Sequence, residues 1–208
     1  DGIELSSDFL RSTSDNIIYD CTIKNENHNI KILREVGGLY QNNLISHNII
    51  GSGNNGIWIN NNGGSVNSEN VIEKNIIMNN GSEIGYGLYL AHDSTIISNN
   101  IFWNNNIAIF SEEKGNNCSI TNNSFYQNSW AILIGAGSKG NSYLNNTFSL
   151  NSTELLGIKE TKNTIFNRNN LLNNNGQENI VRNNTEFDLS IPNNYWGTTD
   201  TAKINKLI

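Results

Sequence analysis

Asn99-Asn100-Ile101-Phe102 is followed 23 residues later by Asn122-Asn123-Ser124-Phe125, and after 23 more by Asn145-Asn146-Thr147-Phe148. The same block, two polar residues and then an apolar pair, continues downstream. There it reads Asn169-Asn170-Leu171-Leu172 and Asn193-Asn194-Tyr195-Trp196. Upstream it reads Lys74-Asn75-Ile76-Ile77, Asn42-Asn43-Leu44-Ile45 and Asp20-Cys21-Thr22-Ile23. The second polar residues fall at 21, 43, 75, 100, 123, 146, 170 and 194, at intervals of 22, 32, 25, 23, 23, 24 and 24. A period that persists over so many intervals marks a solenoid, in which each repeat buries what its neighbour leaves open.

The content of one period selects the kind of solenoid. Residues 56–80 contain Ile57-Trp58-Ile59, Val71-Ile72-Glu73 and Ile76-Ile77-Met78, three short apolar runs separated by Asn and Gly. Such runs read as strands. Leucine-rich repeats overlap this length but need a helical or 3₁₀ return, and helix formers are scarce here. Three short strands per turn make an all-β, single-stranded right-handed parallel β-helix of about eight coils, a single domain over 1-208. Asn suits the bends because it tolerates left-handed backbone angles and bonds its own backbone. Stacked at one level, Asn amides can also form a ladder from coil to coil. The 32-residue interval places extra residues in 60–68 and 81–86, with smaller loops at 111–117 and 135–141.

Composition narrows the function classes. The chain has 44 asparagines, 18 glycines, one proline and a net charge of −6. That charge argues against a nucleic-acid partner held by a basic surface. No run of about 18 apolar residues forms a transmembrane segment, and no secretory signal is visible. The opening Gly2-Ile3-Glu4-Leu5 already reads as strand, so we expect a piece of a longer secreted or cell-surface protein. An uncovered first coil exposes strand edges. It implies either preceding coils or a homo-oligomer, a trimer in particular. Cys21 and Cys118 lie four coils apart, about 19 Å at about 4.8 Å per coil, too far for a disulfide.

Alternation within the strand after each long Asn stretch pairs the inward residues as Ile57/Ile59, Leu88/Leu90 and Ala108/Phe110. The outward residues between such pairs are then Glu4, Lys31, Trp58, Tyr89, Ile109, Leu133 and Gly157. Trp58 beside Tyr89 forms an aromatic platform suited to a sugar ring. Just past this strand a row of Ser7, Arg34, Asn61, His92, Glu112, Ala136 and Glu160 is expected. Beside it lies Asp8, Glu35, Asn62, Asp93, Glu113, Gly137 and Thr161. His92 is the one histidine in this edge row, while His28 and His47 fall in bends. His92 or Tyr89 would serve as base, Arg34 or Asn61 would hold a substrate carboxylate, and Glu112 with Glu35 or Asp93 would be the carboxylate pair of a hydrolase. Glu4, Lys31 and Trp58 complete the binding side. No zinc spacing or calcium repeat is present, and no cofactor is expected; calcium, if held, would sit at Asp93, Glu112 and Glu113. Sequons start at Asn80, Asn117, Asn122, Asn145, Asn151 and Asn183, as chance alone would supply in so Asn-rich a chain.

The pattern Gly-Ile-x-Ile followed by Asn-Asn-x-Ile-x-x-Asn resembles the right-handed β-helix repeat of NosD-type and carbohydrate-binding surface proteins. It is also similar to polysaccharide lyases and hydrolases of the pectate-lyase-like superfamily. The ending Asn193-Asn194-Tyr195-Trp196-Gly197-Thr198-Thr199-Asp200 looks like a closing motif of such surface proteins, and the archaeal disaggregatases are among the similar enzymes. The resemblance implies a polysaccharide partner. It leaves two functions open: a polysaccharide-degrading enzyme, lyase or glycoside hydrolase, as the leading expectation, and a non-catalytic carbohydrate-binding or structural module as the alternative.

Overall fold

A computed structural model describes the chain apart from residues 1, 8–12, 26, 35–39, 62–68, 82–84, 113–114, 159–162, 173–180, 184–190 and 206–208. A typical coil contributes three strands, for example Ile107–Ser111, Ser119–Thr121 and Ser124–Tyr126, and the first two coils add a short fourth pair, Thr13–Ser14 with Tyr40–Gln41. The first strands stack into an eight-stranded long wall; the second and third form two walls of seven strands each. All pairing between described strands is parallel. The described helix is the single turn Thr201–Ile204, capped by the Asp200 side chain. The architecture is the expected β-solenoid.

The corners explain the asparagines. Between the second and third walls each turn takes two residues. The first, such as Asn99 (φ 58°), Asn122 (φ 57°) or Asn145 (φ 56°), adopts the left-handed conformation. Asn pays less for this than most residues, although Lys74 and Arg168 accept it in their own coils. The second residue is buried and builds the ladder. The Asn100 Oδ1 accepts the Asn75 backbone N–H at 2.9 Å and its side-chain amide at 3.0 Å. Asn100 in turn donates to the Ile72 carbonyl at 2.8 Å and to the Asn123 Oδ1 at 3.1 Å. Each amide thereby satisfies buried groups on the coil before and the coil after its own.

The ladder corrects the expected register. It runs Cys21, Asn48, Asn75, Asn100, Asn123, Asn146, Asn169 and Asn194, with intervals of 27, 27, 25, 23, 23, 23 and 25. Asn43 belongs to a different corner, where it bonds Asn16 and Asn70, and Asn170 starts a strand. The expected 32-residue interval therefore dissolves into longer early coils. A third ladder, Asn80, Asn105, Asn128 and Asn151, closes the remaining corner.

The lumen is filled by aligned apolar columns. In the third wall Phe102, Phe125 and Phe148 stack at 5.1 and 4.7 Å, each pair within 5° of parallel. The long wall corrects a second expectation. Leu88 pairs with Ile109 and Tyr89 with Phe110, so Ile109 is buried and Phe110 stands outward. A one-residue slip exchanges the faces of a strand. Gly87 fixes this alignment, because a Cβ there would meet the Ala108 carbonyl oxygen at 2.7 Å. At the far end Tyr195 bridges to Asn170 and Trp196 packs on the core. At the near end Ile3–Ser7, Ile17–Tyr19 and Thr22–Lys24 each pair on one side only among the described residues. Both cysteines are free, as the coil spacing requires.

Candidate functional site

The long wall presents its outer face through alternate residues of each strand. One outward row, in register, is Glu4, Lys31, Trp58, Tyr89, Phe110, Leu133, Gly157 and Arg182. Beside it runs a row containing His28, Asn55, Tyr86, Ile107 and Trp130. The aromatic members pack together. Trp58 and Tyr89 are parallel within 3° at 3.7 Å, Tyr86 and Phe110 stack at 5.1 Å, and the His28 ring tilts against Trp58 at 5.0 Å. Strand spacing of about 4.8 Å brings equivalent rings of neighbouring coils into stacking range.

Trp58 and Tyr89 are thus brought together as expected, but not as a flat platform. They stack face to face, and Tyr89 is only 7% exposed. Its hydroxyl donates a hydrogen bond to the Glu112 carboxylate. Burial first, and then that carboxylate, hold the Tyr89 phenol well above the ordinary 10.0; burial raises Tyr86 in the same direction. His28 is lowered below 6.5, chiefly by burial and then by Lys31. Lys31 reaches Glu4 at 3.3 Å, a surface pair of little energetic weight.

His92 lies elsewhere. It is 1% exposed and sits at the corner between the long and second walls. There the ladder passes from Asn70 to Thr95, which has no amide. The imidazole fills that gap, with Nδ1 2.7 Å from the Asp93 carbonyl and 3.5 Å from both Asn70 Nδ2 and Thr95 Oγ1. The Glu112 N–H bonds the Leu90 carbonyl, which sets Glu112 beyond Ala91 and one residue out of the expected line with His92. Asp93 accepts from the Asn116 backbone and side chain at 3.0 and 2.8 Å. Arg34 and Asn61 end adjacent strands of the long wall in mutual register; their side chains, and all of Glu35, lie outside the described residues. Sequence reasoning missed Tyr86, Phe110 and Trp130. The Gly56/Gly87 motif, followed to Ala108 and Ala131, carried the signal for Phe110.

The stacked walls and the aromatic outer face define the class of the protein, a parallel β-helix solenoid. Residues 2–207 match the family described as periplasmic copper-binding protein (NosD), and the chain belongs to that family. No curated protein and no solved structure matches it.

The description names copper, which takes imidazole and soft sulfur ligands. All three histidines, both cysteines and the one methionine of the chain are among the described residues. They are dispersed. His28 is on the long wall, His47 at the corner beside Tyr19, Met78 on the third wall and Cys21 in the first coil. His92 and Cys118 adjoin, but the Cys118 thiol donates to the His92 carbonyl at 3.3 Å, and burial pushes that thiol up to about 12. A copper ligand would have to be thiolate. Among the described residues no three His, Cys, Asp or Glu side chains converge. This donor set does not fit a copper site.

Proposed function

We propose that the protein is a non-catalytic carbohydrate-binding β-helix module acting outside the cytoplasm, with the long wall's outer face as its contact surface. The observation that carries this reading is the aromatic strip of Trp58, Tyr86, Tyr89 and Phe110, continued by Trp130. Aromatic rings supply large, rigid apolar area, and Tyr and Trp add a polar tip for hydroxyl groups. Glu112 at the strip's edge is exposed and can accept from a sugar hydroxyl through its second oxygen.

The same geometry weighs against turnover. A general base must reach the proton it removes. The His92 imidazole is committed to the corner, and the Tyr89 phenol is held protonated and bonded to Glu112. The carboxylate that the strip does present, Glu112, accepts the Tyr89 hydroxyl through one of its oxygens. The family's periplasmic description supports the location.

The test is affinity for a panel of neutral and acidic glycans, with folding confirmed by circular dichroism. Trp58→Ala should weaken binding about tenfold, about 1.4 kcal/mol. Unchanged affinity in a folded Trp58→Ala protein would remove the long wall from consideration.

A further inference from the structure

The geometry points to a second carbohydrate-contacting strip on the outer face of the third wall, suited to a neutral, extended hexopyranose chain. It goes beyond the long-wall reading and stands on different residues. The strands Ile76–Met78, Ile101–Trp103 and Ser124–Tyr126 put Met78, Trp103 and Tyr126 in one outward row on three consecutive coils. Gly51 precedes this row and Ser149 follows it, so the large side chains form a bounded ridge. The ridge is open, unlike the long wall. Trp103 is 39% exposed, and among the described residues no other ring stacks on it; Ile101 beside it is 44% exposed.

A rail of amides runs along one side. Asn79, Asn104 and Gln127 follow Met78, Trp103 and Tyr126 directly, each exposed and each held in the left-handed conformation by the corner. Trp103 donates its indole N–H to the Gln127 Oε1 at 3.0 Å, and Asn104 donates to the Asn79 Oδ1 at 2.9 Å. These bonds tie the rail together and leave the Asn79 amide N–H, the Asn104 carbonyl and the Gln127 amide N–H without a hydrogen bond among the described residues. Donor, acceptor and donor groups therefore alternate at the coil spacing of about 4.8 Å. Hydroxyl groups both donate and accept, so a chain of hydroxylated rings is the ligand that matches such a rail beside apolar surface. The ridge and rail contain no charged residue, and the chain carries −6 overall. Both features favour a neutral glycan over an acidic one. An isolated indole would be ordinary surface; the combination with an ordered amide row makes a site.

The experiment titrates the protein with cellohexaose and chitohexaose and follows the Trp103 indole N–H resonance, assigned by its loss in Trp103→Ala. The resonance should shift on binding, and should still shift in Trp58→Ala. Trp103→Ala and Asn104→Ala should each lose about tenfold in affinity while circular dichroism stays that of the parent. An unmoved Trp103 resonance with both sugars, or unchanged affinity in both folded variants, overturns the strip. Loss of binding in Trp58→Ala alone supports the long wall and rejects the third wall; loss in Trp103→Ala alone does the reverse.

Discussion

Tyr89 concentrates the chemistry of the outer wall in one side chain. Its ring lies against Trp58, and its hydroxyl is held by Glu112. The consequence is measurable in alkali. Tyr86, Tyr89 and Tyr143 all have phenols raised above the ordinary 10.0, each chiefly by burial. An unfolded chain releases those protons first. The stability they confer is therefore intact below pH 10.0 and is lost as pH rises through their folded values. Ultraviolet titration of the seven tyrosines should show these three ionising late, together with alkaline unfolding. Tyr89→Phe should remove one late proton, and Glu112→Gln should let Tyr89 ionise earlier. Ordinary ionisation of Tyr89 in the folded protein would show that its hydroxyl is free. His92 makes the opposite point: a lone histidine at a strand edge was legible as an ionisable residue, but not as a filler of the ladder. That role depends on Thr95 standing where other coils carry Asn.

At the scale of elements, the corner ladders and the walls divide the work. The walls bury apolar columns, and the ladders satisfy the buried polar groups at the bends. Asn100→Ala should therefore cost about 3 kcal/mol, because it strands the Asn75 amide hydrogens and the Ile72 carbonyl without water to replace them. Denaturant unfolding measures this; a cost below about 0.5 kcal/mol would mean that the ladder ornaments the bends without holding them. The three-strand coil and its parallel stacking were legible because periodic Asn and alternating apolar residues report local geometry. Register was legible only in part. Asn43 and Asn48 both precede apolar pairs, Leu44-Ile45 and Ile49-Ile50, so a single consensus could not tell one corner from the next. Ile107-Ala108-Ile109-Phe110 is apolar throughout, so alternation could not say which residues face inward. The run of small residues Gly56, Gly87, Ala108 and Ala131 carries the signal that resolves that choice, and the close backbone approach at Gly87 is its physical reason. The aromatic strip was consequently read as ending at Tyr89, one coil before Phe110.

The whole molecule is a rod whose three walls differ outside although they match within. The long wall carries packed rings, and the third wall carries an open indole beside an amide rail. Family membership supplies a periplasmic description with copper, and the dispersed His, Cys and Met of this chain do not assemble a site for that metal. Binding without turnover is the central claim, and retention on immobilised glycans, run together with product analysis on the same glycans, tests it most directly. The protein should be retarded on at least one polysaccharide while releasing neither new reducing ends nor unsaturated products. Products that appear with the parent and vanish in Glu112→Gln or Tyr89→Phe would contradict the account, and so would passage through every glycan without retention.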